Sequence, residues 1–197
     1  MIDIKTLEVA GINSAIHAMR NPLDSWAKSD TANGTVGEKD KALSNKLALA
    51  GTEHCKHLRL IVAWADITAP FYWWKEFDTY RAGVEKVSCS TMHTITKKPF
   101  SQEMFSGEVD PSTIGWLETQ RQSYLTAELE NWKKLYWRKI IENLPSGFLQ
   151  MRTVMFSYAA LRQICKQRKG HKLTEWHEFR DWCKTLPESW MIIDEDD

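Results

Sequence analysis

The chain has 197 residues, with 26 Lys and Arg against 26 Asp and Glu, 43% hydrophobic residues and ten tryptophans. Such length and apolar content suffice for a globular domain with a sizeable core, and they exclude a disordered or fibrous chain. A formal net charge of zero excludes the overall basicity of a non-specific nucleic-acid binder, so no nucleic-acid partner is expected.

No run approaches about 18 apolar residues, and MIDIKTLEVA lacks the basic-then-apolar pattern of a signal peptide. The expectation is a cytoplasmic protein with no membrane span. Cys55, Cys89, Cys165 and Cys183 form no CxxC pair, which predicts free thiols in a reducing compartment. Asp194 to Asp197 are all acidic, and without them the chain holds 26 basic against 22 acidic residues. Residues 1–193 are therefore read as one domain and 194–197 as a solvated acidic tail.

In chain order, residues 2–9 read as a strand and 12–20 as a helix stopped by Asn21-Pro22. Residues 29–40, with two glycines and almost no large apolar group, predict a loop at the mobile rim of a site, and helical spacing resumes at Ala42. Leu58, Leu60, Val62 and Trp64 alternate with their neighbours, predicting a mostly buried strand ended by Asp66. Thr68 then reads as the N-cap of a helix with Pro70 in its first turn, and Gly83 follows its end. The stretch VEKVSCSTMHTI reads as extended. A long helix is predicted from 112 to 143, stopped at Leu144-Pro145-Ser146-Gly147.

Val154, Tyr158, Leu161 and Cys165 fall on one helical face, ended by Gly170, and a last helix runs from 174 to 186 with Thr174 as N-cap. Trp64, Trp176 and Trp182 fit core faces. The adjacent Trp73 and Trp74 cannot both point one way on a helix, so one is expected to face a pocket or a neighbouring subunit. With no βαβ alternation and no internal repeat, the fold class is α+β, mostly helical with a small antiparallel sheet.

Several groups carry chemistry. His54 and His57, at i and i+3, would share a metal only with further ligands, and none is suitably spaced; no metal is expected, and nucleotide or flavin contact is the other functional reading. His171, Glu175, His177 and Glu178 gather near the last helix, where glutamates suit the first turn by the helix dipole alone. Arg162, Lys166, Arg168, Lys169, His171 and Lys172 crowd one helix and its following turn, a pattern that suits a phosphate or a solvated face equally. Ser88, Cys89, Ser90 and Thr91 follow Arg81 and Lys86 as hydroxyl-rich potential donors. GxSxG, the P-loop and GxGxxG are absent.

The order of these segments resembles the flavin-dependent thymidylate synthases, the ThyX or thymidylate synthase complementing proteins, and bacteriophage proteins of that general kind. That family carries a Gln-x-x-Arg-His-Arg element and then a pocket serine. The matching stretch is APFYWWKEFDTYRAGVEKVSCS, with Glu76 at the glutamine, Thr79, Tyr80 and Arg81 at the Arg-His-Arg positions, and Ser88 near the serine. Leu144-Pro145, Thr153, Leu161, Arg168 and Trp176 continue the order, so the resemblance covers roughly residues 54 to 180.

It implies a ThyX-like fold, a nucleotide held by Arg81, Ser88, Ser90, Arg168 and Glu76, and cofactor contact through Tyr80, Thr79, His54 and His57. It also implies a homo-oligomer, a homotetramer in the family, with FAD as the cofactor. Two of the three Arg-His-Arg positions lack their nitrogen-rich side chains, and each lost charge-assisted contact costs about 1.5–3 kcal/mol. A nucleotide-binding protein, phage-encoded and sequestering a host nucleotide signal, is therefore the leading expectation. An active FAD-dependent synthase methylating dUMP and a non-catalytic interaction protein are the alternatives.

Overall fold

The structure, a computed structural model, describes residues 2–32 and 34–193, so the acidic segment 194–197 lies outside the described residues. Four strands, β1 (Asp3–Ala10), β2 (Val62–Pro70), β3 (Val84–Ser88) and β4 (Leu149–Ser157), form an antiparallel sheet in the order β1-β2-β4-β3. The helices are α1 (Ile12–Ala18), α2 (Glu38–Leu49), α3 (Phe71–Phe77), α4 (Thr91–Thr94), α5 (Pro111–Thr126), α6 (Glu130–Glu142), α7 (Tyr158–Gln167) and α8 (Thr174–Lys184). The fold is α+β, as the sequence implied. Among the described residues no helix is long and apolar enough to cross a membrane.

The chain divides into two compact units. Among the described residues one holds 2–3, 67–79 and 87–152, and the other holds 4–66 without 33, 80–86 and 153–193. In the first unit, Ile95, Phe100, Phe105, Ile114, Leu117, Ile140 and Phe148 form a buried cluster. Trp73, Trp74 and Phe77 add an aromatic group with ring centroids 4.9–5.3 Å apart. In the second unit, Phe156 on β4 meets Phe179 and Trp182 of α8 at 5.9 and 5.7 Å.

Several boundaries differ from the sequence reading, each for a local reason. Strand β2 starts at Val62, after a 3-10 turn at Lys56–Arg59, and passes through Asp66 to Pro70. Asp66 is tolerated because its side chain is half-buried and accepts a hydrogen bond from the Thr153 hydroxyl at 2.6 Å. Thr68 caps nothing. Helix α3 begins at Phe71, and its first amides donate to Phe148 and Ser146 carbonyls at 3.0 Å each, so backbone replaces the side-chain cap.

Both Trp73 and Trp74 are buried, at 0% and 1% exposure, which corrects the expectation that one faces a pocket or subunit. Trp74 donates through Nε1 to the Gln150 carbonyl at 2.9 Å, and the Arg152 guanidinium lies 4.2 Å from the centroid of its ring.

The extended stretch after Gly83 is a strand only to Ser88, and Thr91–Thr94 is one helical turn. The single long helix is two helices, broken where Ala127 and Leu129 take extended backbone. Thr119, Ser123 and Thr126 each donate to the carbonyl four residues earlier, a local competition that weakens the helix end without Gly or Pro. The fold-back lets Leu117 of α5 and Ile140 of α6 share one core.

Residues 149–157 are strand rather than helix, so Val154 and Thr153 belong to β4. Ser157 is the N-cap of α7, its Oγ accepting from the Ala160 amide at 3.2 Å. Thr174 opens α8 as its first helical residue, with Leu173 at the cap.

Loop 29–37 is held at its described residues by α2, which starts at Glu38. Asp30 accepts from the Lys39 and Asp40 amides at 2.9 and 3.1 Å. Asp40 in turn accepts from the Arg20 guanidinium, the Ser29 and Thr31 hydroxyls and two loop amides. Burial alone would raise the Asp40 pKa, but these bonds, from Ser29, Thr31 and Arg20 in turn, hold it at about 2. The expectation of a mobile rim gives way to a braced loop.

Candidate functional site

The second unit contains a cavity of about 930 Å³. Its walls come from the end of α2 with the following turn (Leu49, Thr52, Leu58, Arg59), from Ala82 and Gly83, from one face of α7, and from Ile192 and Ile193. Arg162 and Lys166 lie one turn apart on the same face of α7, and Lys169 follows in the turn after the helix ends at Gln167. With Arg59 they give the lining four cations and, among the described residues, no carboxylate. The floor is apolar, with Leu58, Ala160, Ile192 and Ile193 buried. Such a cavity suits an anion attached to a flat or apolar body.

Two devices set its shape. Gly83 has φ +71°, and a Cβ there would collide with the Ser157 hydroxyl, so glycine lets the chain pass close to the N-terminus of α7. The Ser157 amide donates to the Gly83 carbonyl at 2.8 Å. The final segment is tied to α7: the Tyr158 phenol donates to the Pro187 carbonyl at 2.6 Å, and Arg162 donates to the Met191 carbonyl at 3.4 Å. Cys165 is on the wall, and Cys183 behind it is hydrogen-bonded to it; burial pushes the Cys183 thiol well up, so Cys183 is a poor nucleophile.

The residues expected at a nucleotide or cofactor site are distributed as follows. In the second unit, Arg168 donates through Nε to the Tyr80 hydroxyl at 2.8 Å, and its guanidinium lies 4.4 Å from the centre of the Trp176 ring. Tyr80 and Trp176 meet edge to face at 6.1 Å. Arg168 is therefore bracketed by two aromatic rings and is not part of the cavity lining. Arg81 is exposed just before Ala82 and Gly83. His54 is exposed, whereas His57 is 4% exposed with Nε2 2.8 Å from the Ser44 hydroxyl, packed inward rather than presented to a ligand.

In the first unit, Glu76 is half-buried on α3, and the Thr79 hydroxyl donates to its carbonyl at 2.7 Å. Ser88 is exposed at the end of β3, and the half-buried Ser90 precedes α4, where its carbonyl accepts from Thr94 at 2.7 Å.

The sequence reading weighted Arg168 in the basic segment, whereas the cavity takes Arg162, Lys166 and Lys169. The shared face of Arg162 and Lys166 was the available signal. Arg59, Ile192 and Ile193 carried none, since only the tertiary path brings them to α7.

His57 yields a pH prediction. Burial lowers its pKa from 6.5 to about 4, and its Nδ1 has no hydrogen-bond partner. The unfolded chain gains a proton as pH falls through 6.5, while the folded protein resists until about pH 4. The associated stability is complete above pH 6.5 and lost between 6.5 and 4, by about 2–3 kcal/mol. Urea titrations at pH 7 and 4.5 should show a smaller acid loss in His57→Asn than in the parent; equal losses would refute the assignment.

No protein-family model matches the sequence, and no curated protein matches it. Among solved structures, thymidylate synthase X from Helicobacter pylori with FAD and dUMP aligns over 100% of this chain and 98% of its own, with TM-score 0.77 and 16% identity. A second structure of the flavin-dependent thymidylate synthase ThyX from that organism, also complexed with FAD and dUMP, aligns over 98% of each chain with TM-score 0.76 and 17% identity. At such identity the likeness is one of architecture, and the chain has the fold of the flavin-dependent thymidylate synthases.

Proposed function

We propose that this protein binds a nucleotide in the cation-lined cavity and does so without flavin chemistry. The observation that carries the proposal is a cavity lined by four cations and, among the described residues, no carboxylate, over an apolar floor, in a fold whose H. pylori neighbours hold FAD and dUMP. Charge-assisted contacts from a guanidinium and an ammonium on one face of α7, with a second ammonium from the turn after it, fit a phosphate, while the apolar floor fits a base.

The residues at the family's flavin-gripping positions do not fit a flavin. The Tyr80 hydroxyl accepts from Arg168, and the Thr79 hydroxyl is spent on the Glu76 carbonyl. Binding without turnover is the reading that follows, with sequestration of a host nucleotide signal as its physiological form. Arg81 and Arg168 are proposed to flank the ligand rather than to grip its phosphate. Assembly into a homo-oligomer is proposed with it, and light scattering tests that part.

The deciding experiment is mass spectrometry of whatever the purified protein releases on denaturation, beside its visible spectrum. A released nucleotide from a colourless protein is the expected result. A stoichiometric flavin band would overturn the binding-only reading in favour of the FAD-dependent synthase.

A further inference from the structure

We propose that the elbow between α5 and α6 is a second binding site, one for a small free organic cation: an aliphatic amine or guanidine about the length of a lysine or arginine side chain. It stands independently of the nucleotide reading, because its chemistry has the opposite sign. A cavity of about 380 Å³ lies where the two helices fold back. Its side-chain chemistry comes from Ser123 and Thr126 on α5, Glu128 in the break, and Trp132 and Tyr136 on α6. Among the described residues the lining has no Lys, Arg or His, and its one formal charge is the Glu128 carboxylate.

Three observations set the sign of the ligand. The Ser123 and Thr126 hydroxyls have spent their protons on the Thr119 and Gln122 carbonyls, at 3.0 and 2.9 Å, so what they retain is acceptor capacity. The Glu128 carboxylate is exposed, with no hydrogen bond or ion pair among the described residues. Trp132 and Tyr136 stack at 6.2 Å with 26° between their planes, and aromatic faces attract cations through the ring quadrupole. The protein already uses this plate in that way, since the Lys139 ammonium lies 5.4 Å from the centre of the Tyr136 ring. Trp132, 48% exposed, is the end open to a ligand. Leu129, 59% exposed beside it, offers an apolar surface that a methylene stem would cover. The N-terminal end of α6 would by itself favour an anion, but Glu130 in its first turn offsets it. The volume is near the lower end of the range for small-ligand sites, about 300–1,000 Å³, which suits one short chain.

The test follows the indole N–H signals of the full chain by NMR, with the Trp132 signal assigned by its loss in Trp132→Phe. Agmatine, an alkylguanidine with a terminal ammonium, is the probe. It should move the Trp132 signal saturably, and Glu128→Gln should weaken that binding about threefold to fivefold, the worth of one exposed ion pair. Because the carboxylate is exposed and unpaired, the other indole signals of that variant should stay in place. Pentanol, a neutral chain of similar length, and inorganic pyrophosphate should leave Trp132 unmoved at the same concentration. Equal agmatine affinity in the parent and Glu128→Gln, or a matching shift with pentanol or pyrophosphate, overturns the proposal. Tighter binding of a blocked Gly-Arg-Gly peptide than of agmatine overturns it too, because the cation would then be a partner's side chain rather than a free ligand.

Discussion

Arg162→Ala combined with Lys166→Ala should weaken binding of the released nucleotide by about a hundredfold or more, with α7 still helical. Each charge-assisted hydrogen bond contributes about 1.5–3 kcal/mol, so two lost from one ligand correspond to a factor of 100 even at the lower end. Both side chains line the cavity from α7, while the buried face of that helix is carried by Ala160, Leu161, Ile164 and Cys165. Helical circular dichroism should therefore be unchanged. Lys184→Ala is the control, because its ammonium pairs with Asp181 on α8. Unchanged affinity in the double variant would remove the cavity from consideration as the phosphate site.

The second large effect concerns stability. Asp40→Ala should lower the unfolding free energy by about 3–5 kcal/mol, because Arg20, only 5% exposed, is left with an uncompensated charge. The loss extends beyond the ion pair. The carboxylate also gathers Ser29, Thr31 and the amides of Asp30 and Thr31, so its removal frees the loop that covers the start of α2. For a chain of this length the melting temperature should fall by roughly 10 °C. Asp40→Asn keeps one acceptor oxygen and should lose less. A change below 1 kcal/mol in Asp40→Ala would show that the network does not hold the loop.

Periodicity and residue type reached much of this architecture. The β2 alternation, the glycine after α7 and the aromatic face of α8 were legible because each depends on neighbours in sequence. The misplacements share one physical origin, which is that a distant partner satisfied a local requirement. Thr68 has the chemistry of a cap, but the Phe148 and Ser146 carbonyls take the first amides of α3. Val154 matches a helical face by arithmetic, yet its stretch pairs within the sheet. Trp73 and Trp74 point in different directions and are both buried, because the surrounding unit closes on two sides of a short helix.

The candidate site was half legible. Its basic helix stood out, but which cations face the cavity depends on the packing of Arg168 between Tyr80 and Trp176, and no spacing rule encodes that.

The partition of the chain has a consequence for its synthesis. Each unit is assembled from three separate stretches, and β2, β3 and β4 each give one end to either unit. No contiguous fragment corresponds to a whole unit, so truncation cannot isolate the cavity from the rest. Its lining runs from Ala48 to Ile193, and a ribosome must release the chain through Ile193 before the site can close. Contacts that wait on so distant a partner favour slow, late folding. Ligand-binding competence should therefore appear only after Ile193 has emerged, even though α5 and α6 can pair much earlier.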